Sequence, residues 1–142
     1  MLSKLRVTTL AMLVVVMLLS ACQGGKEIGN EVMTEGGSYR AISAGELQTM
    51  LENKDFFMVN VHIPWEGDIP QTDLQLSYDQ IEQNLDQLPQ EKDAKIMVYC
   101  LTSGMAKKAT TTLLKQGYTN LWLLDGGTTA WQEAGFSLEG TP

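Results

Sequence analysis

Cys100 is the residue whose type and position are best suited to chemistry. It follows Ile96–Tyr99, an apolar run with the length of a buried strand, and a predicted helix begins shortly afterwards at Gly104. In open α/β sheets, ligands bind at the carboxyl ends of the strands, which is where Cys100 would lie. We therefore expect Cys100 to be a catalytic nucleophile. The alternative is an inert buried cysteine that closes a strand.

The residues after Cys100 are mostly small or apolar and are predicted to form an anion-binding loop. They are Leu101, Thr102, Ser103, Gly104, Met105 and Ala106. A tight loop can turn successive backbone N–H groups toward the sulfur, and the N-terminus of the following helix adds positive potential. Both effects favour the thiolate, which is the nucleophilic form of cysteine. Such a loop would hold an anion without an arginine.

Three further residues are candidate auxiliary groups. His62 is the only histidine of the chain and follows the apolar run Phe56–Val61. Lys107 and Lys108 lie in the first turn of the predicted helix, where a positive charge is unfavourable unless an anion lies nearby. The alternatives are a histidine that makes only structural hydrogen bonds and lysines that only face solvent.

Apolar strands that alternate with amphipathic helices would position these residues. Buried strands are predicted at Phe56–Val61, Ile96–Tyr99 and Leu121–Leu124. Helices are predicted from Ser43 to about Asn53, from Ser77 to Leu88, from Gly104 to Gln116 and from Thr128 to Ala134. We predict a small three-layer α/β domain, with a central, mostly parallel sheet of about five strands and helices on both faces.

Six segments together resemble the rhodanese-like (sulfurtransferase) domain family, over the stretch from Tyr39 to Gly140. The segments are Ile42–Leu47, Phe57–His62, Val98–Met105, Gly117–Leu121, Leu124–Gly127 and Ala130–Gly135. The resemblance implies that Cys100 attacks a sulfane sulfur donor such as thiosulfate and carries the sulfur as a persulfide. The outer sulfur then passes to a thiol or to cyanide, and backbone N–H groups of the loop stabilise the anion. It implies no metal and no organic cofactor. The expected partner is a small sulfur compound or a thiol acceptor protein.

The sequence departs from the family pattern in ways that leave a second hypothesis open. Many active members carry an arginine in or beside the loop, which this chain lacks, and Asn60-Val61-His62 replaces the usual Asp-Val-Arg. The alternative is a catalytically weak or inactive binding or redox module with the same fold. Phosphatase or arsenate reductase chemistry is disfavoured, because those loops place an arginine where this chain has Ala106.

The N-terminus has the pattern of a bacterial lipoprotein signal. Lys4 and Arg6 precede ten apolar residues, and the sequence Leu19-Ser20-Ala21-Cys22 resembles a lipobox. We expect Cys22 to be lipidated, which would anchor an extracytoplasmic protein to a bacterial membrane. The alternatives are an ordinary secretory signal that contains a cysteine, or a retained membrane anchor.

The chain is therefore predicted to have three parts. Residues 1–21 would be the signal peptide, residues 22–37 the lipidated N-terminus with a flexible, glycine-rich linker, and residues 38–142 the rhodanese-like domain. The tether would leave the folded domain outside the lipid layer.

Charge is distributed unevenly along the chain. Ten Lys and Arg against seventeen Asp and Glu give a formal net charge of −7, and no basic stripe is present, so we expect no nucleic-acid partner. Residues 64–93 contain eight acidic residues and one lysine. This acidic segment is either a solvated surface or a docking surface.

Overall fold

A mostly parallel sheet forms the centre of the molecule, and a computed structural model describes it for residues 27–140. The strands are β1 (Asn30–Thr34), β2 (Gly37–Ile42), β3 (Phe57–Asn60), β4 (Leu74–Gln75), β5 (Ile96–Tyr99) and β6 (Leu121–Leu124). The helices are α1 (Ala44–Leu51), α2 (Gly104–Lys115) and α3 (Gly127–Glu133), with a 3-10 helix at Glu82–Gln87. The order of strands is β1-β2-β6-β5-β3-β4, and only β1 and β2 pair in the antiparallel direction.

Apolar side chains cover both faces of the sheet, which confirms the predicted three-layer α/β fold. On one face, Val59, Val98 and Leu123 pack against Ala109 and Leu113 of α2. On the opposite face, the core joins the other side of the same strands to α1 and α3; its buried residues include Leu47, Met58, Met97, Tyr99, Leu124 and Trp131. Continuous apolar strands are expected in this arrangement, because a parallel sheet is covered on both sides.

The first helix begins where the sequence predicts. The Ser43 hydroxyl accepts a hydrogen bond from the Glu46 N–H at 3.3 Å, and the Glu46 carboxylate accepts one from the Ser43 N–H at 2.8 Å. This reciprocal capping box satisfies two N–H groups that have no partner within the helix. Because α1 follows β2 directly, the cap also fixes the point at which the chain leaves the sheet.

The predicted linker is wrong in its second half, because residues 30–37 belong to the fold. β1 pairs with β2 along its whole length, from Asn30 opposite Ala41 to Thr34 opposite Gly37. The turn uses Gly36 and Gly37, whose φ angles are +93° and +152°. These glycines suggested flexibility in the sequence, but they serve a tight turn that other residues rarely adopt. β1 is also a sixth strand, beyond the five or so predicted.

The predicted helix at 77–88 is also wrong. Only Glu82–Gln87 is helical, as a 3-10 helix with a non-helical residue at Asn84 (φ −131°). The Ser77 hydroxyl bonds to Asp79 rather than capping a helix, and only Ile81 and Leu88 of the predicted apolar stripe are fully buried. Two anchors are too few to hold a regular helix in a segment rich in acidic and amide side chains.

None of the helices among residues 27–140 has the length and apolar character needed to cross a membrane. The predicted signal peptide and Cys22 lie outside the described residues.

Candidate active site

Cys100 lies directly after β5, between the ends of β3 and β6 and before the N-terminus of α2. Cys100 is 2% exposed, and its Sγ accepts a hydrogen bond from the Ala106 N–H at 3.4 Å. The thiol is therefore covered by the loop that follows it. Within the described residues it forms no disulfide.

The peptide groups of the loop are oriented by contacts with α3. The carbonyl of Cys100 accepts from the Thr128 N–H at 2.9 Å, and that of Leu101 accepts from the Thr129 N–H at 3.0 Å. In contrast, the N–H groups of residues 101–105 have no acceptor among residues 27–140. The loop thus directs the carbonyl oxygens of Cys100 and Leu101 to α3, and it leaves a run of N–H donors without an acceptor in this part of the chain.

Two glycines support this arrangement from the end of β6. A Cβ atom at Gly127 would lie 2.1 Å from the carbonyl oxygen of Cys100 and 2.4 Å from that of Thr102, so no side chain fits there. The Gly126 N–H donates to the Ser103 hydroxyl at 2.9 Å, and this hydroxyl donates to Asp125 at 3.0 Å. The sequence shows the glycine pair, but only the fold shows that it lies against the loop.

The first turn of α2 contributes positive charge and no acidic residue. Lys107 and Lys108 are exposed, and the Nζ of Lys108 lies 5.4 Å from the centre of the Tyr78 ring. Neither lysine donates a hydrogen bond to a described residue of the loop. Both charges lie in the first turn of α2, where the helix dipole is also positive, and their role at the site stays a prediction.

His62 leaves the sheet at the same edge as Cys100 but does not bond to it. β3 and β5 are neighbours in register, with Asn60 opposite Tyr99. The His62 side chain is 10% exposed, and its Nε2 lies 2.8 Å from a carboxylate oxygen of Glu66. Its Nδ1 is buried without a partner among the described residues. The histidine therefore forms a pair with Glu66, and no Cys–His pair is present.

A polar network that the sequence did not indicate holds the segment after β3. Asp68 accepts from the Asn60 amide at 2.8 Å, from the Tyr99 hydroxyl at 3.2 Å and from the Trp65 indole N–H at 3.0 Å. The Tyr99 hydroxyl also accepts from the Ile69 N–H at 3.0 Å. Burial raises the pKa of Tyr99 above its ordinary value, so this hydroxyl stays protonated.

The family model for the rhodanese-like domain matches residues 43–134. The chain belongs to the rhodanese-like family. A sulfurtransferase of Allochromatium vinosum is 29% identical over 94 residues, which cover 64% of this chain and 85% of that protein. A tRNA uridine(34) hydroxylase of Erwinia tasmaniensis is 29% identical over 97 residues, which cover 64% of this chain. This rhodanese-like chain spans only 27% of the hydroxylase.

Solved structures confirm the rhodanese-like fold. A rhodanese-related protein from Thermoplasma volcanium superposes with a TM-score of 0.60 and 24% sequence identity, over 70% of this chain and 97% of that one. At this identity the likeness concerns the fold. The family match thus places Cys100 in a domain of a kind that sulfurtransferases also contain.

Proposed function

We propose that this rhodanese-like protein transfers sulfane sulfur through a persulfide on Cys100. The observation that supports this most directly is the run of N–H groups at residues 101–105, without an acceptor, next to a sulfur that already accepts from Ala106. Donors fixed before the reaction stabilise a developing anion without having to reorganise. A persulfide is such an anion, and one sulfur atom longer than the thiolate.

The reaction balances with thiosulfate as the donor. The Cys100 thiolate attacks the outer sulfur, a new S–S bond forms, and sulfite leaves with the electron pair of the bond that breaks. In the second step, an acceptor thiolate attacks the outer sulfur of the persulfide. The acceptor becomes a persulfide, and Cys100 returns to the thiolate. The loop holds a sulfur anion throughout, so the same N–H groups serve both steps.

The absence of an arginine in this loop defines a second candidate, which is a binding or redox module without turnover. The burial of Cys100, at 2% exposure, is the observation that favours it. In that case the loop would hold an anion or a small ligand, and the thiol would react slowly. The two candidates make opposite predictions about turnover with thiosulfate.

Steady-state assay of the purified full chain separates them. With thiosulfate and cyanide, a sulfurtransferase produces thiocyanate and sulfite in equal amounts, and Cys100→Ser abolishes both products. Cys22→Ser is the matched control, because it removes the other cysteine of the chain and leaves the loop intact. Absence of thiocyanate above the Cys100→Ser background would support the binding module instead.

We also propose that the domain is tethered outside the cytoplasm by a lipid on Cys22. The support is the sequence pattern of a charged start, an apolar run and the Leu19–Cys22 segment. The net negative charge of the chain disfavours binding to anionic lipid or nucleic acid, so the charge of the protein does not provide another means of attachment. Labelled fatty acid should be incorporated into the expressed chain and lost in Cys22→Ser. Equal labelling of both chains, or none, would contradict this proposal.

A further inference from the structure

Ser103 occupies the N-cap position of α2, but its side chain does not cap the helix. The Lys107 N–H donates to the Ser103 carbonyl at 2.9 Å, which is the first hydrogen bond of the helix. A serine at this position normally accepts, through its hydroxyl, a hydrogen bond from the N–H group two or three residues later. In α2 these groups belong to Met105 and Ala106, and the Ser103 hydroxyl binds neither of them.

The N-terminus of α1 shows the ordinary arrangement. Its N-cap is also a serine, and the hydroxyl of Ser43 accepts from the N–H of Glu46, three residues later, at 3.3 Å. The corresponding residue of α2 is Ala106, whose N–H donates to the Sγ of Cys100 at 3.4 Å instead. The two helices therefore differ in the acceptor of one N–H group, and in α2 that acceptor is the sulfur.

The Ser103 hydroxyl is held by the residues that follow β6. It donates to a carboxylate oxygen of Asp125 at 3.0 Å and accepts from the Gly126 N–H at 2.9 Å. A hydroxyl has a single proton, so its direction is fixed once that proton is given to the carboxylate. Asp125 is itself held in place, because its N–H donates to the Ile42 carbonyl, at the end of β2, at 2.9 Å.

We propose that Asp125 is a positioning residue for the sulfur of Cys100. By binding the hydroxyl of Ser103, its carboxylate prevents the serine from capping α2, and the Ala106 N–H is left for the sulfur. A donor that is already directed at the sulfur stabilises an anion there without reorganisation. The consequence for persulfide transfer rests on the proposed function, whereas the effect on the thiolate of Cys100 does not depend on turnover.

The charge of Asp125 acts in the opposite direction. A carboxylate beside the loop disfavours an anionic sulfur, so a residue that acted only through this charge would lower the reactivity of Cys100. Removal of the charge would then make the thiol more reactive. The hydrogen bond to Ser103 instead predicts a loss of reactivity when the Asp125 side chain is truncated, so the two effects differ in sign.

Two neutral substitutions of Asp125 separate the hydrogen bond from the charge. Asp125→Asn removes the charge and keeps a side-chain oxygen that can accept from Ser103, whereas Asp125→Ala removes both. The rate of alkylation by iodoacetamide at about pH 7 reports the thiolate. Cys22→Ser in every chain leaves Cys100 as the only cysteine. We expect alkylation of Asp125→Ala to be about five- to tenfold slower than that of Asp125→Asn, because one hydrogen bond to an anion is lost.

Removal of the serine hydroxyl should reverse this loss. In the double variant Ser103→Ala with Asp125→Ala, no hydroxyl remains to take the Ala106 N–H, so this group again donates to the sulfur. We expect the double variant to recover most of the alkylation rate of Asp125→Asn, a recovery that damage to the loop would not produce. Asp86→Ala, at an exposed acid of the 3-10 helix, is the control for loss of a negative charge and should not slow alkylation.

Alkylation of Asp125→Ala at the rate of Asp125→Asn, or faster, would overturn the proposal, and so would a double variant that is as slow as Asp125→Ala. Turnover of thiosulfate tests the proposed function separately. If the wild type turns over, kcat/KM should fall in Asp125→Ala and recover in the double variant. If it does not, the proposed function fails, and the order of the alkylation rates still decides whether Asp125 positions the sulfur.

Discussion

Single residues around Cys100 fix the direction of the peptide groups in its loop. The carbonyls of Cys100 and Leu101 are held by the N–H groups of Thr128 and Thr129, and the close approach leaves no space for a Cβ at Gly127. Because those carbonyls are directed to α3, the N–H groups of residues 101–105 remain available. Backbone geometry thus provides the positive potential that an arginine provides in other anion sites.

Replacement of Gly127 by alanine should disrupt this geometry. Gly127 has a φ of +56° and a Cβ there would meet the Cys100 carbonyl, so we expect a loss of about 3 kcal/mol or more in the free energy of unfolding. Gly135→Ala is matched, since its φ is +90° but no atom lies within 4 Å of the added Cβ. It should lose only about 1–2 kcal/mol, from backbone strain. If urea denaturation gave similar losses in the free energy of unfolding for Gly127→Ala and Gly135→Ala, the close approach of Gly127 to the Cys100 carbonyl would be refuted.

The buried hydroxyl of Tyr99 should make the stability of the fold fall at alkaline pH. Burial is the main cause that raises the pKa of its hydroxyl above the ordinary value of 10.0. In the unfolded chain the group ionises near its ordinary pKa, whereas in the folded chain it stays neutral. The stability it contributes is therefore fully present below pH 10 and is lost as pH rises above it, by at most about 1.4 kcal/mol per pH unit. Tyr39, whose pKa is raised by burial and by Asp125, adds to the same trend.

The variant Tyr99→Phe should flatten this dependence. Urea denaturation at about pH 9 and about pH 11 gives the change in the free energy of unfolding for each chain. Wild type should lose more than Tyr99→Phe between the two pH values. An identical change in both chains would mean that Tyr99 ionises as readily in the folded state as in the unfolded state.

At the scale of elements, the N-terminus of α2 acts on the site as a unit. Its dipole, its free N–H groups and the charges of Lys107 and Lys108 all favour an anionic donor. We expect Lys107→Gln with Lys108→Gln to lower kcat/KM for thiosulfate about two- to fivefold at low salt, with a smaller difference at high salt. Lys115→Gln, at the other end of the helix, is the control and should have no such effect. An equal decrease in kcat/KM for the double variant and for Lys115→Gln would contradict a local role of Lys107 and Lys108 at the site.

Elements with strong local signals could be predicted from the sequence. The capping box of Ser43 and Glu46 placed the start of α1, and the continuous apolar runs placed β5 and β6 with their bounds. Cys100 could be placed at the end of a parallel strand for the same reason. In each case the decisive interaction is local or depends only on burial.

Elements that depend on distant pairing could not be predicted. β4 is only two residues long, and it is defined by its pairing with β3. The burial of β1 likewise depends on the neighbouring strand β2. The network of Asp68 with Asn60, Trp65 and Tyr99 joins residues up to 31 positions apart. Spacing in the sequence carries no sign of such contacts, and neither does the close approach of Gly127 to the loop.

At the scale of the whole molecule, the parallel strands bring the site residues to one edge. β3 and β5 pair in register, so His62 and the Cys100 loop both lie at the carboxyl ends of the strands. This is where the ligands of open α/β sheets bind. Within residues 27–140, no group of three or more His, Cys, Asp and Glu side chains could hold a metal ion.

The β1–β2 hairpin forms the edge of the sheet that lies farthest from β4. Its removal tests whether the folded domain begins before residue 38. A chain that starts at residue 38 loses the five paired positions of β1 and the bond from the Gly29 N–H to Glu46. We expect a loss of about 2 kcal/mol, which lowers Tm by roughly 10 °C relative to a chain that starts at residue 27. Equal Tm values would show that the hairpin adds no stability and that residues 30–37 act as a linker.

Intact mass spectrometry of the full chain after incubation with thiosulfate tests the central claim most directly. If the loop amides hold a sulfur anion on Cys100, the mass should rise by one sulfur atom and return to its starting value on addition of cyanide. Cys100→Ser should show no gain under the same conditions. An unchanged mass in wild type, with a thiol at position 100 that still reacts with iodoacetamide, would contradict the account.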